Sequence, residues 1–249
     1  MTIEITASSR VGRVRKNNED MILVGQQFVR DAELSSCIDL ADSDRYLLAL
    51  ADGMGGYNGG EIASSEVLHN LQYFFSDMPV GLSASLFNEA IVDWLSSINT
   101  VLESKGLCES QLSHMGTTLV ALAYYGGNFF WMNCGDSRIY CLSPEKQLTQ
   151  ITTDHSLNTL IGDTDHSNIV TNCIGGGCRN SFIDIVKCTQ LMQPGSQFLI
   201  CSDGLSDMLD DVNIEAMMTA DDTDATKLCL AAEDAGGYDN VSVILAKVK

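Results

Sequence analysis

The sequence contains few prolines, few basic residues and no long apolar run. Its three prolines are scattered through 249 residues, and no Pro/Ser-rich, low-complexity or repeated segment offers a linker between domains. The hydrophobic content of 45% is enough for a sizeable core. We therefore expect a single folded domain over residues 1–249, and we expect it to be a monomer.

The lack of a long apolar run argues against a membrane protein. The longest such run, from Leu119 to Tyr125, is far shorter than the ~20 residues that span a bilayer. The N-terminal segment MTIEITASSR has no basic stretch leading into an apolar one, as a secretion signal would have. We expect a cytoplasmic protein that does not bind a membrane.

Basic residues are scarce. The chain has 14 Lys and Arg against 33 Asp and Glu, which gives a formal net charge of −19. This charge opposes binding to nucleic acid or anionic lipid as a main task. It also disfavours a metal-dependent nuclease, which needs a basic groove. Much of the acidic excess is typical of a solubilising surface, because only a few of the carboxylates lie in recognisable motifs.

The nine cysteines show no metal-finger spacing. There is no C-x-x-C pair, and the closest two cysteines, Cys173 and Cys178, are five residues apart. Most of the nine lie in apolar runs, which is typical of reduced cysteines in a protein core.

Short apolar or alternating runs predict eight β-strands. They lie at residues 20–29, 46–52, 117–125, 128–134, 138–142, 182–188, 197–202 and 241–248. The pair Gly126-Gly127 separates two of these runs, and glycine tolerates the positive φ angles of a two-residue hairpin turn. At least part of the sheet is therefore predicted to be antiparallel.

Helical periodicity appears in three segments. Apolar side chains recur every three or four residues from Ala63 to Phe74 and from Phe87 to Leu102. A shorter stripe at 224–234 follows a possible N-cap at Thr223 or Asp224. The two longer helices are consecutive, whereas a parallel doubly wound sheet would alternate strand and helix. The order therefore predicts an α+β fold in which helices cover antiparallel sheet.

Five aspartates stand beside apolar runs in turn-like settings, as though the ends of buried strands delivered them. They are Asp20, Asp52, Asp136, Asp203 and Asp239. Mg²⁺ and Mn²⁺ prefer hard oxygen ligands, and a site for two such ions needs several carboxylates that converge from separate strands. The set therefore indicates a multi-metal site.

Taken singly, the motifs have more than one interpretation. Asp52-Gly53-Met54-Gly55-Gly56 fits a metal ligand with a close backbone approach or a glycine-rich turn, and the absence of GK[ST] after it excludes a P-loop. Arg15, followed by Glu19 and Asp20, fits phosphate and metal-water binding or a solvated charged turn. Asp136 fits a ligand or an aspartate that hydrogen-bonds its own backbone.

Taken in order, the motifs resemble those of the PP2C-type (PPM) metal-dependent serine/threonine protein phosphatases in their bacterial form. The matching segments span nearly the whole chain. They are R-x-x-N-E-D (Arg15–Asp20), D-G-M-G-G (Asp52–Gly56), G-T-T (Gly116–Thr118), G-D-S-R (Gly135–Arg138), T-x-D-H-S (Thr152–Ser156), S-D-G-L (Ser202–Leu205) and D-N-V-S (Asp239–Ser242).

The resemblance implies a PP2C-like four-layer αββα fold, with a central β-sandwich of two antiparallel sheets flanked by helix pairs and a site in a cleft at one edge. It implies that Asp52 bridges two Mn²⁺ or Mg²⁺ ions. Gly53 would offer its carbonyl to one ion, and Asp203 and Asp239 would bind the other. Asp136, together with Asp203, would hold a weaker third ion.

The resemblance also implies roles for the residues around the ions. Glu19, Asp20 and Asn240 would act mainly through metal-bound water, and Arg15 would bind the phosphate. The reaction would be hydrolysis of phosphoserine and phosphothreonine by a water or hydroxide that bridges the two ions. The partners would be phosphorylated proteins, and a serine/threonine kinase would oppose the enzyme.

Two other classes of protein share some of these features. A catalytically silent regulatory or binding module of the same fold remains an alternative, although such proteins typically lose metal aspartates and this chain keeps all five. An aspartyl-nucleophile phosphatase needs a D-x-D motif after its first strand, and the segment from Ala51 to Met54 has none.

The chain departs from the family pattern in two places. Met54 stands where many eukaryotic relatives have a histidine proposed as general acid, so metal-bound water would have to protonate the leaving group; His155 fits a turn stabiliser better than an acid. The segment Asn158–Asn180 is short compared with the flap that bacterial relatives insert. Within it, Gly175-Gly176-Gly177 fits either a lid or a surface turn.

Overall fold

A computed structural model describes residues 1–55, 59–162, 169–178 and 180–249 of the chain. The strands in these ranges are β1 (Thr2–Arg10), β2 (Met21–Val24), β3 (Gln27–Val29), β4 (Ala32–Asp39), β5 (Arg45–Ala51), β6 (Gly53–Met54), β7 (Gly116–Thr117), β8 (Leu119–Tyr125), β9 (Asn128–Cys134), β10 (Arg138–Leu142), β11 (Leu148–Gln150), β12 (Ile174–Gly175), β13 (Asp184–Lys187), β14 (Gln197–Cys201) and β15 (Val241–Val248).

The helices begin at side-chain caps where the sequence supplies them. The α-helices are α1 (Gly59–Asp77), α2 (Ala84–Cys108), α3 (Leu157–Ile161), α4 (Asp203–Ser206), α5 (Asp211–Thr219) and α6 (Ala225–Asp234). The Asp224 side chain accepts a hydrogen bond from the Lys227 N–H at the start of α6, which confirms one of the two predicted caps. None of the helices in the described residues is long and apolar enough to cross a membrane.

The longer strands form two six-stranded antiparallel sheets. Sheet A has the order β11-β10-β14-β15-β1-β4, and sheet B has the order β13-β9-β8-β5-β2-β3. A short third sheet has the order β12-β7-β6. The predicted hairpin joins β8 to β9, where Gly126 and Gly127 have φ angles of 54° and 81° and Tyr125 pairs with Asn128.

Sheets A and B pack face to face over an apolar interior. Leu48 and Leu50 of β5 meet Ile200 of β14 and Ile244 of β15 in this layer, and each of the four is at most 3% exposed. Burying such a side chain stabilises the fold by about 1.5–3 kcal/mol. Alternation along each strand is what sends these residues to one face.

The outer face of each sheet is covered by helices. Residues of α1 and α2, such as Leu71 and Ile91, pack on sheet B. Residues of α5 and α6, such as Ile214 and Leu228, pack on sheet A. The chain is therefore an αββα sandwich, and the predicted α+β class and layer order are confirmed.

Within the described residues, sequence patterning missed five strands and three helices. They are β1, β4, β6, β11 and β12, and α3, α4 and α5. β4 is an edge strand whose residues are alternately exposed and only half-buried, so it lacks a strong apolar alternation, and α5 has only Ile214 and Met218 buried. The run predicted at 20–29 is two strands, because Gly25, with a φ of 62°, reverses the chain between β2 and β3.

Candidate active site

Strand register brings the first two predicted aspartates together. β2 and β5 are antiparallel neighbours in which Met21 pairs with Ala51. Asp20 directly precedes β2 and Asp52 directly follows β5, so both carboxylates lie at the same edge of sheet B. Here the pairing of two strands, rather than any local motif, decides which side chains meet.

The other three aspartates reach the same edge of the sandwich from the turn between β9 and β10 and from sheet A. Asp136 lies in that turn. Asp203 follows β14 and begins α4, while Asp239 precedes β15, and β14 pairs with β15 through Cys201 and Val243. The close packing of α4 against the chain before β15 needs a glycine, since a Cβ on Gly204 would come within 1.9 Å of the Asn240 carbonyl oxygen.

A cleft of about 490 Å³ opens at this edge. Its lining includes seven of the nine residues predicted for the site: Arg15, Glu19, Asp52, Gly53, Asp136, Asp203 and Asp239. Met54, Gly55, Thr118 and Val170 complete it. The sequence-based selection and the geometry therefore coincide on one cavity, of a size that suits a small ligand or the end of a peptide side chain.

The carboxylates in and behind the cleft destabilise one another's charge. Burial and the nearby charges of Asp20, Asp203 and Asp136 raise the pKa of Asp52 well above its usual value. Burial and the charge of Asp203 likewise raise the pKa of Asp136 to about 7. Burial, with Asp239 adding to it, raises the pKa of Asp203 to about 6. Such a cluster carries its full negative charge at neutral pH only when cations offset the repulsion.

Two of the carboxylates also leave oxygen atoms without protein partners. Asp20 Oδ1 and Asp203 Oδ1 are buried and accept no hydrogen bond within the described residues. An unsatisfied buried acceptor costs about 1–3 kcal/mol, and more when it is charged. The donor set consists of hard oxygens with unused coordination capacity, which is the chemistry that Mn²⁺ and Mg²⁺ require.

The cleft is not a closed ligand cage. Among the described residues, no three Asp, Glu, His or Cys side chains already stand in the arrangement of a preformed metal site. The carboxylates share one cleft and one electrostatic field, as their mutual effects on pKa show.

Gly53 occupies a place where no side chain fits. A Cβ there would lie 2.2 Å from the Gly60 carbonyl oxygen and 2.6 Å from that of Glu19. β6, which contains Gly53, is therefore pressed between the start of α1 and the loop that carries Glu19 and Asp20. This close approach keeps backbone rather than side chain at that wall of the cleft.

Arg15 pairs with a carboxylate of the cleft. Its Nη2 donates to Asp239 Oδ2 at 2.6 Å, and this hydrogen bond is the main reason that the pKa of Arg15 is raised. The Arg15 side chain is 54% exposed, and exposed pairs of this kind contribute at most about 1 kcal/mol. The guanidinium is therefore close to the cleft and only weakly held there.

Asp20 and Asn240 lie behind the cleft wall instead of lining it. Asp20 is 0% exposed, and its Oδ2 accepts a hydrogen bond from Ser202 Oγ at 2.9 Å. Asn240 Oδ1 accepts from the Glu19 N–H, and its Nδ2 donates to the carbonyl of Asn17, each at 2.9 Å. Asn240 thus fixes the loop that presents Glu19.

Thr118 belongs to the G-T-T motif, from which the sequence predicts no role for it. Its Oγ1 accepts a hydrogen bond from the Asp52 N–H at 3.1 Å, and its own N–H donates to the Asp52 carbonyl at 2.9 Å. It also contacts Ser137 Oγ at 2.9 Å, beside Asp136. Thr118 therefore ties the backbone of Asp52 to the turn that carries Asp136, and its place in G-T-T was the available signal.

Arg30 is a second positioning residue that sequence reasoning missed. It donates to the Asp20 carbonyl at 2.8 Å and to Ser64 Oγ at 2.8 Å, so it links the loop before β2 to α1. The sequence gives no signal of these contacts. One partner, the Asp20 carbonyl, is a backbone atom, and the other, Ser64, is 34 residues away.

His155 has the contacts of a structural residue. Its Nδ1 accepts from the Gly135 N–H at 3.1 Å, and its Nε2 lies 3.0 Å from Asp184 Oδ2. Because Nδ1 is an acceptor, Nε2 carries the proton and donates it to Asp184. The ring therefore supports the turn that holds Asp136, and it does not line the cleft.

The segment predicted as a possible flap is described only in part. Residues 163–168 and 179 of the range 158–180 lie outside the described residues, as do Gly56, the last residue of the D-G-M-G-G motif, and residues 57–58. Of the remainder, β12 pairs with β7, and the three glycines form a turn beside it. Within the described part, these glycines are anchored to the short sheet.

Comparisons with known proteins agree with this architecture. Residues 26–235 match the family described as Protein phosphatase 2C. The chain is 32% identical to the serine/threonine protein phosphatase PstP of Mycobacterium tuberculosis, a match that covers all of this chain and 45% of that protein. It thus spans about half the length of that curated relative. The chain belongs to the protein phosphatase 2C family.

Solved structures resemble the chain over its whole length. A Streptococcus agalactiae serine/threonine phosphatase superposes with a TM-score of 0.84 at 26% identity, covering 99% of this chain and 100% of that one. The catalytic domain of PstP in complex with two manganese ions superposes with a TM-score of 0.76 at 30% identity, with full coverage of both chains. The family resemblance stated from the motifs is confirmed.

Proposed function

We propose that this chain hydrolyses phosphoserine and phosphothreonine esters in proteins, with two Mn²⁺ or Mg²⁺ ions bound in the cleft. The observation that carries the proposal is the convergence of Asp52, Asp136, Asp203 and Asp239 on one cavity, where burial and mutual repulsion raise the pKa values of the first three. Membership of the phosphatase family and the manganese-bound relative support it.

The ligand roles are those that the family resemblance implies. Asp52, whose pKa is raised by burial and then by the charges of four neighbouring aspartates, would be shared by both ions. Gly53, whose backbone forms a wall of the cleft, would offer its carbonyl to one ion, and Asp203 and Asp239 would hold the other. Asp136, near Asp203, would serve a weaker third ion. When bound, such ions lower the pKa of water toward about 7 and orient it for in-line attack on phosphorus.

Glu19, Asp20 and Asn240 would act from the loop before β2. Glu19 lines the cleft, and burial raises the pKa of its carboxyl. Its oxygens would accept hydrogen bonds from water at the site. Asn240 keeps the Glu19 backbone in place. Burial raises the pKa of Asp20 to about 7 in the ion-free protein. When cations are bound, Asp20, held by Ser202, would add negative charge from behind the wall.

Arg15 would bind the phosphoryl group. Its fork of N–H donors matches two phosphate oxygens. In the structure one of these donors serves Asp239, so substrate binding would require Arg15 to share or exchange that partner. Cations near Asp239 would weaken its attraction for Arg15 and so favour the exchange. Met54, which lines the cleft, has no proton to give, so no side chain at that position protonates the leaving group.

The partners follow from the same reaction. They would be proteins phosphorylated on serine or threonine, with a serine/threonine kinase acting in the opposite direction. The strongly acidic chain, with its net charge of −19, is not suited to nucleic acid or anionic membranes.

We further propose that residues 1–249 form one catalytic domain that is cytoplasmic and monomeric. A single cooperative thermal transition would test the single domain, and light scattering would test the monomeric state.

The test is hydrolysis of p-nitrophenyl phosphate and of a phosphothreonine peptide, with Mn²⁺, with Mg²⁺ and with EDTA. We expect turnover that requires one of the ions and is lost in Asp52→Ala and Asp239→Ala. Asp221→Ala, which changes an exposed aspartate in the turn between α5 and α6, is the matched control and should keep wild-type activity.

A silent module of the same fold gives a different result. Such a module would bind a phosphopeptide or Mn²⁺ without turnover of either substrate. Full activity in Asp52→Ala would instead contradict the assigned role of that carboxylate.

A further inference from the structure

Two cysteine thiols lie in contact beside the short sheet. Cys173 Sγ and Cys178 Sγ are 3.4 Å apart, on either side of the three consecutive glycines at 175–177. Both cysteines are reduced in the structure. This pair has no part in the site described above, and the sequence alone gave it no role.

The glycine turn is what brings the two sulfurs together. Gly175, Gly176 and Gly177 have φ angles of 73°, 59° and 84°, a run of left-handed conformations that side chains other than glycine rarely adopt. The Cys178 N–H donates to the Gly175 carbonyl at 2.9 Å and closes the turn. The chain therefore reverses within five residues, and the contact does not depend on a distant part of the fold.

The two thiols differ in accessibility. Cys173 is 4% exposed, and burial, followed by its hydrogen bond to Cys178, raises the pKa of its thiol to about 12. Cys178 is only half-buried. A soluble oxidant therefore reaches Cys178 first, and Cys173 is the neighbour positioned to react with the product.

The turn is connected to the backbone beside the cleft. The Gly176 N–H donates to the Met115 carbonyl at 2.8 Å. Gly175 pairs with Gly116, and Thr117 pairs with Gly53. One ladder of backbone hydrogen bonds thus runs from the thiol pair to the residue after Asp52.

We propose that Cys173 and Cys178 form a reversible intramolecular disulfide, which makes this turn an oxidation site that stiffens the short sheet. A disulfide needs an S–S distance of about 2.05 Å, so the sulfurs must approach by little more than 1 Å from contact, and rotation about the Cα–Cβ bonds can supply that movement. The site is separate from the proposed phosphatase reaction and does not require it.

The oxidant is a hydroperoxide, and the steps balance as follows. The Cys178 thiolate attacks the outer peroxide oxygen, the O–O bond breaks, and Cys178 becomes a sulfenic acid while the peroxide leaves as water or alcohol. The Cys173 sulfur then attacks the Cys178 sulfur, the S–O bond breaks, and water leaves with the Cys173 proton. Two thiols are oxidised by two electrons, and one peroxide is reduced. Because the pKa of Cys173 is high, ring closure speeds up as the pH rises above 7.

The experiment uses a Cys37→Ser/Cys108→Ser background, because these two cysteines are exposed and could join separate molecules. The protein is treated with hydrogen peroxide, denatured, alkylated and digested with trypsin. Both thiols fall in one peptide, 147–179, which lies between Lys146 and the cleavage at Arg179. Cys178→Ser in the same background is the matched control.

We expect peptide 147–179 to change from doubly alkylated to unalkylated, lighter by two hydrogen atoms than the dithiol, and to regain both labels after reduction with dithiothreitol. We also expect the oxidised protein to melt about 2–5 °C higher and to exchange its amide hydrogens at 113–118 more slowly. The Cys178→Ser control should show none of these changes.

Three results would overturn the proposal. The first is that peptide 147–179 stays doubly alkylated under conditions that oxidise a reference thiol as accessible as Cys178. The second is a cross-link between 147–179 and the peptide that contains Cys134, a buried thiol whose pKa the charges of Cys173 and Cys178 also affect. The third is a disulfide between Cys173 and Cys178 that leaves amide exchange at 113–118 unchanged, because the disulfide would then not stiffen the short sheet. None of these readouts depends on phosphatase activity.

Discussion

The space between the sheets and the cleft at their edge are built from the same strands, yet their energetics are opposite. On β5, Leu48 and Leu50 face the interior, and Asp52, two residues further on, faces the cleft. The leucines lie among apolar neighbours, which stabilises the fold. Asp52 lies among other carboxylates that raise its pKa, which destabilises the ion-free fold at neutral pH.

The difference shows that one strand contributes both to the stable interior and to the site. The alternation of β5 continues unchanged from the core to the site, so the chain needs no separate scaffold to present Asp52. The interior supplies the stability that allows several carboxylates to be held close together without cations. Functional sites commonly carry such unfavourable arrangements, and the rest of the fold compensates for them.

The largest expected effect comes from removing charge at the edge. In Asp52→Asn, which keeps the shape of the side chain, we expect phosphatase activity to fall by about 10³-fold or more, while the ion-free protein becomes more stable than wild type. Steady-state kinetics and urea unfolding in EDTA measure the two quantities. If the variant kept more than about a tenth of wild-type activity, Asp52 would not have the proposed role in the reaction. If it lost much stability, Asp52 would stabilise the fold as its neighbours on β5 do, and the contrast with those leucines would be wrong.

The next effect concerns the interior of the same strand. Leu48→Ala should lower the free energy of unfolding by about 2–5 kcal/mol, because it leaves a cavity between the sheets. The folded fraction should keep nearly normal activity. Leu230→Ala, at a residue of α6 that is 42% exposed, should cost less than about 0.5 kcal/mol. Equal costs in the two variants, measured by urea unfolding, would contradict the packing described here.

A smaller effect on the free energy of unfolding is expected from Asp136, and its dependence on pH identifies its cause. Its folded pKa of about 7 lies above the ~3.9 of an unfolded aspartate, so the folded state binds the extra proton between these values and stability falls as pH rises from about 4 to 7. Asp136→Asn should therefore exceed wild type by roughly 1–3 kcal/mol at pH 8 in EDTA and match it near pH 4. A constant difference at all pH values would refute the role of repulsion.

The smallest effect on stability is expected at Arg15. Arg15→Ala should change the free energy of unfolding by less than about 0.5 kcal/mol, because its ion pair with Asp239 is exposed. It should nonetheless raise the KM for a phosphothreonine peptide by about tenfold, the value of one charge-assisted hydrogen bond. Arg13→Ala, which removes a nearby exposed arginine paired with Asp234, is the control and should leave KM unchanged.

The sequence carried enough information to predict the α+β class and which aspartates share one cleft, because both depend on strong local signals. Each of the five aspartates lies within two residues of an apolar run, and strand ends of an antiparallel sandwich meet at its edges. Gly126 and Gly127 marked a hairpin because few other residues adopt its φ angles. The family resemblance then ordered these signals into one fold.

What sequence patterning missed depends on weak alternation or distant pairing. Strand β4 carries polar side chains and lies at a sheet edge, so burial imposes little pattern on it. The roles of Thr118 and Arg30 rest on hydrogen bonds to backbone atoms of other segments, which residue type does not specify. The contact between Cys173 and Cys178 depends on the conformation of three glycines, and their spacing alone does not reveal it.

The central claim is that the edge carboxylates repel one another until cations bind them. Calorimetric titration with Mn²⁺, combined with thermal unfolding of wild type and Asp52→Asn, tests it most directly. At Mn²⁺ concentrations 100 times the dissociation constant, we expect the wild type to gain about 2.7 kcal/mol of stability, and we expect Asp52→Asn to bind at least about tenfold more weakly. Equal Mn²⁺ affinity and equal stabilisation in both proteins would contradict the claim.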